Sequence, residues 1–228
     1  GTPGRVRSLG APPRGTDTRV VLVWVSLALF AVSCALSVRW MLVRVDSLGR
    51  VHGFPTIGVA ASAGLAVLCA VPVVRTELFE RRLDAAASEL AGARVRVHCQ
   101  TTGESFVHAG REWGWVPTGS NGLPEKHTVL SKVACQHLAS WIRSDHRSPT
   151  EKEVMAVHVL THEAMHMKGM LNEDEAECAA MQRDARTAVL LGADQVDAVA
   201  LAERYWQTIY PRVESGYSSP ACVPGGEL

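Results

Sequence analysis

Two long uncharged apolar runs lie in the first third of the chain and constrain its fold more than any other feature. The first covers residues 20–38 and is bracketed by Arg19 and Arg39; the second covers residues 54–74 and ends at Arg75. An α-helix rises about 1.5 Å per residue, so about 20 apolar residues cross a hydrocarbon core about 30 Å thick. The runs predict two transmembrane helices, and hence a lipid bilayer as a partner.

Each run has an alternative interpretation. The first could be a cleaved signal peptide, but it is longer than the usual signal core and a second apolar run follows it. The second could be a buried core helix; its prolines, Pro55 and Pro72, stand at its ends rather than inside it. We therefore expect an integral cell-membrane protein with two spans. The predicted segments are an N-terminal tail at 1–19, a span at 20–38, a short loop at 39–53, a second span at 54–74 and a soluble domain at 75–228.

The arginines and the cysteines favour opposite sides of the membrane for the soluble domain. More arginines flank the two outer ends of the spans than lie in the loop between them, which favours both chain ends inside the cell. Four cysteines fall in the soluble domain at wide spacing, without a CxxC pair; an even set of this kind predicts two disulfides and an oxidising compartment, and free buried thiols are the alternative. Cysteine usage thus slightly favours an extracytoplasmic domain, with the pairing left open among Cys99, Cys135, Cys178 and Cys222.

The remaining sequence predicts an α+β domain with a few short strands followed by helices. Its 23 basic and 23 acidic residues balance, which gives no electrostatic case for a nucleic-acid partner. Alternating apolar positions and aromatic or β-branched residues indicate strands at 95–99, 113–116 and 127–130. Helical spacing indicates helices at 77–90, 133–143, 151–168, 173–191 and 194–206.

The chemistry is concentrated in the motif His162-Glu163-Ala164-Met165-His166, an HExxH sequence. Residues four apart share one face of a helix, so the two histidines can offer imidazole nitrogens to a single ion. Glu163 follows the first ligand directly and is placed to take a proton from a zinc-bound water. The motif predicts Zn²⁺ as the cofactor and Glu163 as the general base.

The surroundings of the motif favour a buried helix that needs a metal. Thr150 and Glu153 form a capping-box pattern at its start, and apolar residues dominate the helix. Unpaired polar groups are costly inside such a helix, and a metal would give the two motif histidines a partner. His158 lies about 12 Å along the helix axis from His166, too far to share an ion with it, and is predicted to be a packed, hydrogen-bonded histidine.

The following residues resemble the gluzincin group of zinc peptidases, whose second helix carries E-x-x-x-[DE]. In that group the first acid binds zinc and the second supports a histidine ligand. Glu173 and Glu177 match the pattern, so the resemblance implies a zincin-like domain in which Glu173 is the third ligand and Glu177 its supporting acid. Only six residues separate His166 from Glu173, fewer than in typical gluzincins.

The short spacing also resembles the metzincin frame HExxHxxGxx[HD], which Gly169 fits. The third-ligand position of that frame is Asn172 here, a poor zinc ligand. Asn172 instead suits the N-cap of the next helix, with Glu175 at its third position. The third ligand is therefore expected to be Glu173, with Glu177 and then Asn172 as alternatives.

Several other residues near the motif have two interpretations. Cys178 is expected to form a disulfide or pack in the core, and Met181 to pack in the core. Residues 113–116 could form an edge strand that pairs with a peptide substrate, or could simply pack. Three tyrosines are candidates for stabilising an oxyanion, and the sequence does not choose among Tyr205, Tyr210 and Tyr217.

These observations predict a membrane-anchored zinc peptidase that hydrolyses peptide bonds in a peptide or protein substrate. HExxH sites mostly serve amide hydrolysis, which favours this class. The alternative is a non-catalytic membrane-tethered domain that binds a partner or senses a metal. Zinc content and the effect of Glu163→Gln on hydrolysis distinguish the two.

Overall fold

The computed structural model describes residues 18–45, 49–101, 113–213, 216–217 and 222–223. Most of the predicted N-terminal tail therefore lies outside the described residues. The chain divides into two compact units, Gly1–Val74 and Arg75–Leu228.

The first unit contains two apolar helices packed against each other. Helix α1 covers Thr18–Val43, and helix α2 covers Thr56–Ala91 and so continues beyond this unit. Ser26 Oγ donates to the carbonyl of Ala66 at 2.9 Å, and a Cβ on Gly58 would lie 3.3 Å from Leu36, so small residues let the helices approach closely. Both helices are long and apolar enough to span a membrane.

Large apolar side chains of this unit face outward, as expected for helices surrounded by lipid. Trp24 is 67% exposed and Ile57 is 86% exposed. Soluble monomers rarely expose apolar patches larger than a few hundred Å². The predicted span at 54–74 and the predicted helix at 77–90 are one continuous helix with Pro72 inside it, where the sequence pattern had suggested a boundary. Apolar spans tolerate a proline because neighbouring groups compensate for the missing hydrogen bond.

A small mixed sheet begins the second unit. Its strands are β1 (Arg96–Cys99), β2 (Gly114–Trp115) and β3 (His127–Leu130), in the order β1-β3-β2. Strand β3 runs parallel to β1 and antiparallel to β2. The three strand predictions are confirmed, the second in a shorter form.

Helix α2 closes the outer edge of β1 with side-chain acceptors. Backbone N–H groups of alternate residues donate to side chains one helical turn apart: Val95 to Ser88 at 3.0 Å, Val97 to Asp84 at 2.6 Å and Cys99 to Glu80 at 2.8 Å. Four helical residues rise about 6 Å and two strand residues about 6.7 Å, so the two repeats match over this length. Strand β2 stands at the other end of the described sheet.

Five α-helices follow the sheet and make the unit predominantly helical. They are α3 (Lys132–Arg143), α4 (Glu151–Lys168), α5 (Glu173–Met181), α6 (Asp184–Leu190) and α7 (Gln195–Arg204), followed by a π-helical turn at Tyr205–Ile209 and a 3₁₀ turn at Tyr210–Arg212. The α+β prediction is confirmed. The single helix predicted over 173–191 is wrong: the chain turns at Gln182 and Arg183, and Asp184 starts a new helix, where an acid is favoured by the helix dipole.

Helix α4 runs through the core of this unit. Its capping box is formed as predicted, with Glu153 N donating to Thr150 Oγ1 and Thr150 N donating to Glu153 Oε2. Core residues of α4 such as Leu160 and Met165 are fully buried.

Two disulfides cross-link the second unit: Cys99 pairs with Cys135, and Cys178 pairs with Cys222. This is one of the three pairings that the sequence left open.

Candidate metal centre

Two consecutive helices bring the predicted ligands together. His162 and His166 lie one turn apart near the end of α4, which stops at Gly169 with a φ of 120°. Glycine adopts this left-handed backbone without the steric cost of a Cβ. The chain then turns back, and α5 begins at Glu173, which faces both histidines.

Three ligand atoms meet at this point. His162 Nε2 lies 2.9 Å from His166 Nε2, and Glu173 Oε2 lies 3.1 Å from the first nitrogen and 3.2 Å from the second. Ligands of a tetrahedral zinc ion, bound at about 2.0–2.1 Å, lie about 3.3 Å apart. The spacing of the three atoms is close to that value, so this group could hold one metal ion.

The second nitrogen of each ring fixes its tautomer. His162 Nδ1 lies 3.1 Å from Glu177 Oε2, and His166 Nδ1 lies 2.9 Å from the carbonyl of Met170. Both partners are acceptors, so both Nδ1 atoms carry hydrogen. In the neutral rings the two Nε2 lone pairs therefore face each other beside a carboxylate, an arrangement that a cation stabilises and that a metal ligand requires.

The pKa values of the metal-free cluster also indicate that positive charge is favoured between the three ligand atoms. Hydrogen bonds from His162 and His166 lower the pKa of Glu173 to about 2. Burial works to lower the pKa of His162, but its hydrogen bonds to Glu173 and Glu177 outweigh burial and raise that pKa to about 9. The raised pKa of His162 and the lowered pKa of Glu173 both favour positive charge between these groups, and a metal bound there would displace protons from the rings.

No protein-family model, curated protein or solved structure matches this chain.

Glu163 lies beside the cluster under strand β2. Glu163 is buried at 5% exposure, whereas Glu173 is exposed. Gly114 of β2 lies directly against it: a Cβ there would be 2.9 Å from Glu163 Oε1. The predicted base is thus held by the sheet, and solvent reaches the cluster from the side of Glu173.

The predicted supporting acid, Glu177, is the centre of a buried hydrogen-bond network. Its Oε2 accepts from His162 Nδ1 at 3.1 Å and lies 3.0 Å from His158 Nε2, and its Oε1 accepts from the Tyr205 hydroxyl at 2.6 Å. His158 is packed and hydrogen-bonded, as predicted, with its Nδ1 at 2.8 Å from Asp184 Oδ2. Burial raises the pKa of Glu177, but the charge of His158 and the donated hydrogen bonds outweigh it, so the pKa is lowered.

Sequence reasoning missed Asp184 and the role of Tyr205 in this network. Asp184 is fully buried seven residues after Glu177, inside what the pattern predicts as one helix. Its neighbours Gln182, Arg183 and Arg186 are polar, so no local signal marked Asp184 as a buried residue. Tyr205 gave no local signal, because a π-helical turn after α7 places it on Glu177; such turns are frequent at functional sites.

The structure separates the three candidate tyrosines. Tyr205 is buried against Glu177, and Tyr210 stacks on Trp206 at 5.1 Å between ring centroids. Tyr217 is 38% exposed, and its ring centroid lies 6.0 Å from that of His162. Of the three, Tyr217 is the one that is both exposed and close to a histidine ring of the cluster.

The alternative third ligands do not join the cluster. Glu177 contacts the far nitrogen of His162, and the amide of Asn172 donates to Glu175 at 3.0 Å. Asn172 occupies the N-cap position of α5, as predicted, although its side chain makes no capping hydrogen bond. Cys178 is in a disulfide and Met181 packs against the core, both as expected.

Proposed function

We propose that this protein is a membrane-anchored zinc peptidase. The observation that carries the proposal is the convergence of two Nε2 atoms and the Glu173 carboxylate within 3.2 Å of one another, with both Nδ1 atoms facing acceptors. His162, His166 and Glu173 would hold the ion, in the zincin-like arrangement that the sequence resembles. Zinc, when bound there, supplies positive charge that polarises a carbonyl and lowers the pKa of water.

Glu163 is the general base in this proposal. It takes one proton from the attacking water as the oxygen adds to the scissile carbonyl carbon, and it returns that proton to the amine nitrogen as the C–N bond breaks. Its burial beside β2 keeps the carboxylate in place. We further propose that Tyr217, whose ring centroid lies 6.0 Å from that of His162, donates a hydrogen bond to the oxygen that becomes negative.

In this proposal a peptide substrate lies near β2, the strand at the end of the order β1-β3-β2. An extended peptide can add to the end strand of a sheet, and this strand lies against Glu163. This arrangement supports amide hydrolysis over a purely structural metal site, because a structural site would have no need of an open side.

We place the protein in the cell membrane with two spans and its soluble domain outside the cytoplasm. The two apolar helices with outward-facing side chains support the spans. The two disulfides of the soluble domain support an oxidising compartment, against the weaker arginine count in the flanking segments.

Metal analysis with Glu163→Gln tests the proposal. The detergent-solubilised full chain should contain about one zinc per molecule and hydrolyse a quenched peptide library. Glu163→Gln should keep the zinc and lose hydrolysis by at least about a thousandfold, because it removes the base without touching a ligand. Glu175→Gln is the matched control: it is the same substitution on a nearby exposed acid outside the cluster.

Two results would contradict the proposal. Wild-type protein that binds no zinc would exclude the proposed metal centre. If wild type and Glu163→Gln both bind zinc and wild type hydrolyses no peptide, the protein is the non-catalytic, metal-sensing alternative.

A further inference from the structure

A second layer of buried charge lies behind the ligand cluster. Asp184, His158 and Glu177 follow one another at 2.8 and 3.0 Å, and Glu177 continues to His162 at 3.1 Å. Asp184 and His158 are 0% and 2% exposed. Buried charges of this kind persist only when each is paired, so the row is a connected unit.

Counting donors and acceptors assigns the hydrogens in this row. Carboxylates only accept, so His158 must donate from Nδ1 to Asp184 and from Nε2 to Glu177. His158 is therefore an imidazolium between two carboxylates. The row alternates in charge: anion, cation, anion, and then the ring of His162 with its far nitrogen in the ligand cluster.

The ring of Tyr205 fixes His158 from one face. The two ring centroids are 3.6 Å apart and the planes differ by 14°, while the Tyr205 hydroxyl donates to the other oxygen of Glu177. A cation over an aromatic face is attracted to the ring. His158 therefore cannot turn without losing contacts on three sides.

Three atoms of this row could also be considered as a second metal site. Nε2 of His158, Nδ1 of His162 and a carboxylate oxygen of Glu177 are close enough for one ion. An ion there would require His162 to lose its Nδ1 hydrogen while its Nε2 serves the first site. Hydrogen bonds account for the short contacts of Glu177 with His158 and His162. We therefore infer that the row orients the ligands of the first site and does not itself bind an ion.

We propose that His158, held by Asp184, is a positioning residue that orients Glu177 and thereby keeps the His162 Nε2 lone pair aimed at the metal. This inference rests on the proposed zinc site. It extends that site by two residues, His158 and Asp184, that make no contact with the three ligand atoms. Groups that orient metal-binding histidines typically change metal affinity by about 10- to 100-fold when they are removed.

Zinc affinity of four variants tests the inference on the full chain. His158→Gln keeps one donor for Glu177 but removes the charge and the second donor, and should weaken Zn²⁺ binding about 10- to 100-fold in a competition with a chelating dye. Asp184→Asn should weaken it in the same direction. The double variant should resemble His158→Gln, because Asp184 acts through His158.

The control is Thr187→Val on α6. Thr187 is fully buried and accepts a hydrogen bond from Thr161 across the same helix pair, without belonging to the row. It should lower the melting temperature and leave zinc affinity unchanged. The visible absorption of the Co²⁺-loaded protein should shift in His158→Gln and stay the same in Thr187→Val.

Several outcomes would overturn the inference. Zinc affinity of His158→Gln within about threefold of wild type, with an unchanged cobalt spectrum, assigns His158 to packing alone. If the fold losses of zinc affinity of His158→Gln and Asp184→Asn multiply in the double variant, the two residues act separately. Should His158→Gln fail to fold, Asp184→Asn and Tyr205→Phe decide by the same readouts.

The result for wild type separates this inference from the proposed function. Wild type that binds no zinc contradicts both. Wild type that binds zinc without hydrolysing peptides contradicts the peptidase alone, and the variant affinities still decide the role of His158.

Discussion

Gly114 and Glu163 are in contact across the interface between strand β2 and helix α4. A Cβ on residue 114 would lie 2.9 Å from Glu163 Oε1 and 3.1 Å from its Cγ. The same Cβ would lie 2.8 Å from Leu130 Cδ2, so an alanine at position 114 requires the side chains of both Glu163 and Leu130 to shift. The contact ties the edge strand to the proposed base.

Gly114→Ala should therefore displace Glu163 and slow catalysis while leaving the metal in place. We expect kcat/KM to fall about tenfold or more, because small displacements of a reacting group are costly. Peptide hydrolysis and zinc content measure the two effects. Gly53→Ala is the control, since a Cβ there meets nothing within 4 Å. Equal activity of Gly114→Ala and wild type would show that this contact does not hold Glu163 in the position that catalysis needs.

Glu173→Gln should abolish tight zinc binding, whereas Glu177→Gln should only weaken it. The Glu173 carboxylate is within 3.2 Å of both Nε2 atoms, and Glu177 contacts the far side of one ring. We expect a loss of affinity of at least about a thousandfold for the first and about 10- to 100-fold for the second. Chelator competition measures both. The reverse order would make Glu177 the ligand.

Zinc affinity should increase with pH through the neutral range. The pKa of metal-free His162 is raised to about 9, and that of His166 is also raised by its hydrogen bond to Glu173 against the effect of burial. Below pH 9 the metal must displace at least one proton, so its association constant should rise about tenfold or more per pH unit and level off above pH 9. Titrations between pH 6 and 10, with buffer controls for zinc hydroxide, would check this slope; a flat profile would contradict protonated ligands.

Tyr217→Phe should lower kcat with little effect on KM or zinc content. Its ring lies 6.0 Å from that of His162, and the hydroxyl is proposed to stabilise the developing oxyanion. Removing one such donor costs about a hundredfold or more in kcat. Tyr210→Phe is the matched control, because Tyr210 stacks on Trp206 and is outside the cluster. Equal effects of the two variants would exclude the role.

Thiol labelling of intact cells should locate the soluble domain. In a chain with Cys34 and Cys69 replaced by serine, the four remaining cysteines are paired and should not react with a membrane-impermeant maleimide. Reduction with an impermeant phosphine should expose them if the domain is outside the cytoplasm. Labelling that requires cell lysis would place the domain inside, as the arginine count suggests.

Local sequence rules determined the parts of the site that depend on one element. His162, Glu163 and His166 are arranged by the helical repeat alone, and Thr150 with Glu153 starts that helix through bonds within four residues. The strands and the apolar helices follow in the same way from periodicity and length. Such features need no knowledge of distant residues.

Only the tertiary structure decided which residues meet across elements. The packing of α5 against α4 selected Glu173 over Glu177 and Asn172, and the turn before α6 together with the π-helical turn brought Asp184 and Tyr205 to the back of the cluster. The cysteine pairs and the contact of Gly114 with Glu163 were decided in the same way. The physical reason is that helical and strand periodicity fixes directions along an element, whereas distances between elements depend on how the whole core packs.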